Sequence, residues 1–271
     1  VKNLSEAWLE IIGSSGGAPT PSSWPPSILL FYHGLYGLLD VGEGTQLRLV
    51  EKGVGPGRID FIAVTHMHGD HIFGLPGLIQ SMSLSSRSKE LIIIGPERIK
   101  TFLEETFGLT NFSPVFKIIY SSPINASVLT SGKAKLVIKG FKTCHADESY
   151  GYVVTGYKVI GGDERKIFKL VYTGDTALCD EMLQALRAEE DIDVLIHDST
   201  FNYNMRNQAR EYGHSTSIEA AALARELNVR ALLLFHMSSR YKNSYKQLLM
   251  EARSVYEKTF LASDNTKFII A

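Results

Sequence analysis

The chain has 271 residues, 28 Lys+Arg against 29 Asp+Glu, 44% hydrophobic and 21% charged residues. These values exclude intrinsic disorder and describe an ordinary globular protein. A net charge of −1 also disfavours a dedicated polyanion binder, which carries a basic domain, so any RNA contact must come from a local patch.

The longest apolar candidate, Ser27 to Leu39, is broken by His33 and falls short of the ~18 residues that span a bilayer. Lys2, Glu6 and Glu10 surround Trp8 and Leu9, which leaves no signal-peptide core there, and a cytoplasmic location is expected. Cys144 and Cys179 are too few for a disulfide framework and do not form a CxxC site, so a metal is expected on His and carboxylates.

In chain order, a short strand is predicted over Leu9–Ile12, followed by a Gly/Ser/Pro-rich surface loop over Gly13–Pro26. Strands follow at Ile28–Phe31, Gly37–Val41 and Asp60–Thr65, with a helix over Thr45–Glu51. A helix over Ile72–Ser83, a strand over Leu91–Ile94 and an amphipathic helix opened by Pro96 come next. The stretch from Lys117 to Thr173 is mostly strand, with Gly and Asn punctuation that suggests hairpins. Helices return at Asp180–Ala188, Ser217–Leu227 and Tyr245–Thr259, alternating with strands at Val194–His197, Ala231–Phe235 and Lys267–Ile270. This order fits an α/β, four-layer αββα arrangement of two mixed sheets flanked by helices better than one parallel sheet, and residues 1–271 are expected to form a single domain.

Thr65-His66-Met67-His68-Gly69-Asp70-His71 follows the apolar strand Phe61–Val64 and precedes a helix. On an extended stretch, residues i and i+2 face one side, so His66 and His68 can grip one ion, while Asp70 and His71 at the turn can grip a second. Neutral imidazole and anionic carboxylate suit a borderline cation such as Zn²⁺, with Mn²⁺ and Fe²⁺ as alternatives. Two ions need further ligands, and His145, Asp175 and His236, the last two at strand ends, are the candidates. Asp40, also at a strand end, is a candidate partner for a ligand imidazole.

His-Met-His-Gly-Asp-His resembles the signature of the metallo-β-lactamase superfamily. The longer THMHGDHIFGLPGLIQS is similar to the corresponding run of the ribonuclease Z family, the tRNA 3′-processing endonucleases. The segments IIGSSGGAPT, LLDVGEGTQ, YTGDTALC, LIHDSTF, GHST and HMSSRY extend the resemblance, in family order, from Ile11 to Tyr241. It implies one zinc on His66, His68 and His145, and a second on Asp70, His71 and His236, with Asp175 bridging. The nucleophile would be a hydroxide between the two ions, with Asp70 orienting or deprotonating the water. Two cations on one water depress its pKa and neutralise charge on a phosphodiester.

His214 precedes a helix whose start carries Thr216 and Glu219 at capping-box spacing, which places it where a helix N-terminus attracts anions. It is the candidate proton donor to the leaving oxygen, and Asp198 the candidate carboxylate that orients it. Related ribonuclease Z sequences usually carry Glu at that position, so the reach of the shorter Asp198 is the point to test. Ser238, Ser239 and Arg240 are candidate contacts to a substrate phosphate. His33 reads as structural and His197 as a core residue.

Two family features that handle tRNA have no counterpart. The long arm between the third ligand histidine and the GDT segment is replaced by Tyr152–Thr173, enough for two strands and a turn. The PxKxRN loop reads Pro19-Thr20-Pro21-Ser22-Ser23-Trp24. Family members are often homodimers, and Lys133, Lys135 or Arg206 are candidates for a basic patch across such an interface. The expected function is a dinuclear zinc phosphodiesterase, with precursor tRNA among its candidate substrates. A small-molecule phosphodiesterase or arylsulfatase-like hydrolase is the alternative, and a non-enzymatic scaffold is disfavoured because all seven ligand positions hold competent side chains.

Overall fold

The computed structural model describes residues 7–241 and 244–271, so Lys2 and Glu6 lie outside the described residues. Among these residues, β1 (Ala7–Gly13), β3 (Ser27–Tyr32), β4 (Leu35–Leu39), β5 (Phe61–Ala63), β6 (Leu91–Ile94), β7 (Ile118–Ser121) and β16 (Lys267–Ile269) form one sheet, in the order β16-β1-β3-β4-β5-β6-β7. β8 (Ser127–Ser131), β9 (Ala134–Lys142), β10 (Tyr150–Ile160), β11 (Asp163–Tyr172), β12 (Val194–Asp198), β13 (Ala231–Phe235) and β15 (Thr259–Leu261) form the second, in the order β15-β13-β12-β11-β10-β9-β8. A two-stranded pair joins β2 (Ser15–Gly16) to β14 (Met237–Ser238).

Strand periodicity sorts the apolar residues into three cores. Leu9, Ile11, Leu30, Ile138, Val154, Leu170, Tyr172, Ile196 and Phe235 face inward and fill the space between the sheets. The opposite face of the first sheet, with Leu29, Leu38 and Ile62, packs against α1 (Thr45–Glu51), α3 (Leu75–Leu84) and α4 (Arg98–Leu109) through Leu49, Leu78 and Leu103. The opposite face of the second, with Val171, Leu195 and Leu232, packs against α5 (Asp180–Arg187), α7 (Ser217–Glu226) and α8 (Tyr245–Arg253) through Met182, Leu223 and Leu248. The expected αββα layering is therefore present.

The helix predicted over Ile72–Ser83 is interrupted. α2 (Gly69–Ile72) stops, and α3 restarts after Gly74 with Pro76 in its first turn. Gly74 donates its N–H to Val41 O at 3.0 Å, and a Cβ there would lie 2.1 Å from the Gly42 carbonyl, so this close approach both requires glycine and breaks the helix. The helix predicted to reach Thr259 ends at Arg253, because Thr259–Leu261 extends as β15 and pairs in parallel with β13. The Gly13–Pro26 stretch is not simply a surface loop. Ser15 and Gly16 pair beside His236, and Asp264 accepts from Ser14 Oγ and from the Trp24 N–H, at 2.7 and 2.8 Å.

β10 and β11 form a hairpin closed by Gly161 and Gly162, both at positive φ, which is the two-glycine turn that suits a twisted hairpin. Two strands and a turn fill this interval, as the sequence predicts.

One covalent feature was not foreseen. Although two cysteines make no framework, Cys144 and Cys179 are bonded to each other. Beside the bond, Ala177 donates its N–H to Cys144 O at 3.1 Å and Cys144 donates to Thr176 Oγ1 at 3.1 Å. The cross-link thus ties the loop carrying His145 to the loop carrying Asp175. A bridge of this sequence separation contributes about 3–4 kcal/mol by restricting the unfolded chain. The double substitution Cys144→Ser, Cys179→Ser is therefore expected to lower the oxidised protein's Tm by several degrees. Thermal melts that coincide for the two proteins would show that the bond contributes nothing.

Candidate metal centre

β4 to β7 run parallel, as do β11 to β13, and residues at their C-terminal ends gather along one rim. Asp40 follows β4, Thr65 and His66 follow β5, Asp175 follows β11, Asp198 ends β12 and His236 follows β13. Open α/β sheets place their ligand-binding residues at such carboxyl ends. Asp40 and His236 are both held at positive φ, 57° and 56°, a conformation that costs a non-glycine residue about 1 kcal/mol or more and is concentrated at functional sites.

The seven candidate ligands converge. Asp175 Oδ2 lies 3.3 Å from His236 Nε2, 3.5 Å from His71 Nε2, 3.7 Å from His145 Nε2 and 3.9 Å from His66 Nε2. His145 Nε2 is 3.0 Å from His68 Nδ1, and Asp70 Oδ2 is 3.4 Å from His236 Nε2. His66, His68 and His145 form one group able to hold an ion, and Asp70, His71 and His236 another, with Asp175 between them. His66 and His71 are fully buried, whereas His68 is exposed at the cleft.

The far side of most rings is tied. The Thr65 hydroxyl donates to Asp40 and accepts from His66 Nδ1 at 2.9 Å, while Asp40 accepts from His71 Nδ1 at 2.8 Å and from the Tyr172 hydroxyl at 2.7 Å. The Thr200 hydroxyl donates to Asp198 at 2.7 Å and accepts from His236 Nδ1 at 2.9 Å. His145 Nδ1 donates to Gly213 O at 2.9 Å, and Gly213, at φ 69°, leaves no room for a Cβ, which would sit 3.0 Å from that nitrogen. Each bond aims Nε2 inward and, in the neutral ring, keeps the proton on Nδ1. Burial disfavours a charged ring at His71, yet the Asp175 and Asp40 carboxylates raise its pKa well above the usual value, so a cation bound there would displace a proton.

Nε2 of His66, Nε2 of His71 and Oδ1 of Asp175 are buried and have no hydrogen-bond partner. Buried orphans of this kind are costly without a compensating group, and a divalent cation is what such a donor set compensates. Burial together with neighbouring His71 lowers the His66 pKa. Burial acts against ionising Asp175, yet His236 and His71 beside it hold its carboxyl well below the usual range. Neutral imidazole and ionised carboxylate are the forms that bind Zn²⁺, so the residues fit the implied metal.

His214 stands at the edge of the same cleft. Its Nδ1 donates to Asp198 Oδ2 at 2.8 Å, so the shorter carboxylate does reach it. Asp198 is fixed by Thr176 N at 3.0 Å and Thr200 N at 2.8 Å. Burial disfavours a charged ring at His214, but the Asp198 carboxylate outweighs this and raises its pKa to about 9. The capping box of Thr216 and Glu219 forms as predicted and starts α7 directly behind His214.

The cleft measures about 410 Å³, and Ser238, Arg240, Phe201 and Tyr212 line it together with the histidines. Arg240 donates to Ser238 Oγ at 3.1 Å and lies 5.0 Å over the Phe201 ring. Ser239 belongs to the short turn Ser239–Tyr241 and does not line the cleft. His33 is exposed in the β3–β4 turn, and His197, read as a core residue, is fully buried. Thr65, Thr200, Gly213 and Tyr172 were missed as site residues. Thr65 precedes His66, Thr200 lies two residues past Asp198 and Gly213 precedes His214, but nothing local marks their roles or that of Tyr172.

The sequence profile of the beta-lactamase superfamily domain matches residues 38–237. Ribonuclease Z of Sulfurisphaera tokodaii is 35% identical over an alignment of 297 positions that covers 96% of this chain and 97% of that protein. Ribonuclease Z of Aeropyrum pernix is 35% identical, with 97% and 98% covered. Human tRNase Z, short form, superposes with a TM-score of 0.78 at 28% identity and covers 97% of this chain and 99% of its own. With the profile spanning most of the chain and relatives aligned nearly end to end, the chain belongs to the ribonuclease Z family of metallo-β-lactamase hydrolases.

Proposed function

We propose that this protein is a dinuclear zinc phosphodiesterase that cleaves RNA at the 3′ side of a tRNA precursor. The observation that carries this reading is the convergence of four imidazoles on Asp175 beside the His214–Asp198 pair. His66, His68 and His145 would hold one ion and Asp70, His71 and His236 the other, with Asp175 shared. When bound, the two ions lower the pKa of water and neutralise charge on the phosphodiester.

The chain's own residues supply the rest. Asp70 accepts from the Gly17 N–H at 3.2 Å and is 19% exposed, so it faces the cleft and can orient an attacking water. His214 keeps its Nδ1 proton on Asp198, carries a second proton on Nε2 at neutral pH and delivers it to the departing ribose oxygen. Arg240, steadied by Ser238, contacts a phosphate oxygen. Among the described residues no helix is long and apolar enough to cross a membrane.

A second reading, a small-molecule phosphodiesterase or arylsulfatase-like hydrolase, is favoured by one observation: β10 and β11 close directly at Gly161–Gly162 with no arm between them. The alignment with the Sulfurisphaera tokodaii enzyme runs to 297 positions, longer than this chain, so that relative carries segments with no counterpart here. A homodimer would supply charge from a second copy. Of the basic candidates, Lys135 is paired with Glu164 at 2.6 Å and Arg206 lies over the Tyr203 ring, which leaves Lys133 as the candidate whose charge is most readily offered.

Metal analysis of the purified protein is expected to return about two zinc ions per chain, and His68→Ala about one, because His68 is the exposed ligand whose loss leaves the buried set intact. A metal-free protein that gains no activity on adding Zn²⁺ would end the metal reading.

His214→Ala is expected to slow turnover by about 10²–10⁴-fold on substrates with an alkoxide leaving group and to spare nitrophenolate, which needs no proton. Equal losses on both would mean that His214 binds phosphate and does not donate.

Across a salt series, kcat/KM for a 3′-extended tRNA precursor is expected to be lower than for a chromogenic bis-aryl diester and to fall steeply, since RNA affinity comes mainly from phosphate neutralisation. Site-specific precursor cleavage that persists at high salt would show contacts of another kind. Diester hydrolysis with no RNA cleavage at any salt would select the second reading.

A further inference from the structure

A second cavity, of about 370 Å³, opens on the same rim, between the loop after β6, the end of β7 and the segment that leads from His145 into β10. This volume lies within the range of about 300–1,000 Å³ typical of small-ligand sites. It is joined to the metal centre by one tight turn. Ser149 Oγ donates to Thr143 O at 3.0 Å and accepts from the His145 N–H at 3.4 Å, and the Tyr150 N–H donates to Thr65 O at 2.9 Å. His145 therefore lines the metal cleft while Glu148 and Tyr150 line the cavity.

Its lining includes the apolar Ile93, Ile99 and Pro123 and the aromatic Tyr120 and Tyr150. The polar feature is Glu148: its Oε2 is buried and has no hydrogen-bond partner. A buried, unpartnered carboxylate oxygen can only accept, so the occupant that completes it must donate. Glu97 adds a second carboxylate to the lining against the single cation of Lys100, which repels a phosphate and favours a hydrogen-bond donor. An aromatic ring with an amino group on its edge supplies such a donor and suits a lining that holds two tyrosine rings.

We propose that this cavity is a nucleobase subsite, taking the base of a nucleotide next to the scissile linkage and selecting adenine, cytosine or guanine over uracil through the exocyclic amine and Glu148 Oε2. Uracil carries carbonyls at its exocyclic positions, and its N3–H lies between two of them, so a carboxylate that accepts from it also meets carbonyl oxygens. The inference rests on the ribonuclease reading above and adds a substrate preference to it.

The test compares RNA substrates that differ only in the base on either side of the cleaved bond, using wild type and Glu148→Gln. The variant keeps the side chain's shape but replaces the acceptor by an amide that both donates and accepts. At one of the two positions, wild type is expected to favour amino-bearing bases over uracil about tenfold in kcat/KM. Glu148→Gln is expected to reduce this to about twofold, with hydrolysis of the chromogenic diester unchanged. Absence of any preference in wild type, or a preference that persists in the variant, overturns the subsite. Should the protein hydrolyse the diester and leave RNA intact, the ribonuclease reading fails separately. The cavity is then read by NMR line broadening of free adenosine and uridine. Broadening of adenosine alone, lost in Glu148→Gln, upholds the subsite; equal broadening of both nucleosides, broadening of neither, or no effect of the variant overturns it.

Discussion

A histidine can offer one ring nitrogen to a cation only if the proton on the other has somewhere to go, and the rest of this site depends on meeting that condition several times within a few ångströms. Thr65 answers for His66, Asp40 for His71, Thr200 for His236 and the Gly213 carbonyl for His145. Two of these acceptors are hydroxyls that must themselves donate elsewhere, so Asp40 and Asp198 stand behind them. Asp198 consequently serves two rings: it fixes Thr200 and through it His236, and it binds His214 directly. A change at Asp198 would therefore act on the candidate metal centre as well as on the proposed proton donor.

Strand ends are where this condition can be met. The last residue of a buried strand has its backbone position set by the ladder behind it, and the next residue is free to turn. Asp40 and His236 use that freedom to adopt positive φ, which swings the Asp40 carboxylate beneath His71 and the His236 ring toward Asp175. Three parallel strands of one sheet, β11 to β13, and two of the other, β4 and β5, bring such positions to one rim. The disulfide joins two of the loops that leave this rim, and so couples the position of His145 to that of Asp175 without touching either side chain.

The layered fold was legible because the strands alternate strictly: Leu170 and Tyr172 face one way and Val171 the other, and this period alone separates the inner core from the outer one. The helix Thr45–Glu51 and the strands Leu91–Ile94 and Ala231–Phe235 were also readable to the residue. The candidate ligands were legible because His and Asp at strand ends have few other uses in combination. What remained hidden depends on distance across the fold. The Gly74 break follows from packing on Gly42, β2 exists only because β14 lies beside it, and the pairing of Cys144 with Cys179 needs two loops that are brought together by separate strands. Tyr172 reads as an inward core aromatic, and only the fold shows its hydroxyl on Asp40.

The departures from the family fall on loops and the agreements on strand ends, and a physical asymmetry accounts for this. A ligand displaced by an ångström leaves a buried nitrogen unpartnered and a cation incompletely held, so the residues that set its position are coupled to one another and to the core. A hairpin tip such as Gly161–Gly162 has no such coupling; both glycines are exposed and no neighbouring atom lies near where a side chain would begin. Shortening that hairpin removes surface for gripping a large substrate while leaving Asp40, Thr65 and Thr200 where they are. Substrate range in this chain is therefore free to differ from that of its relatives while the chemistry at the rim stays the same.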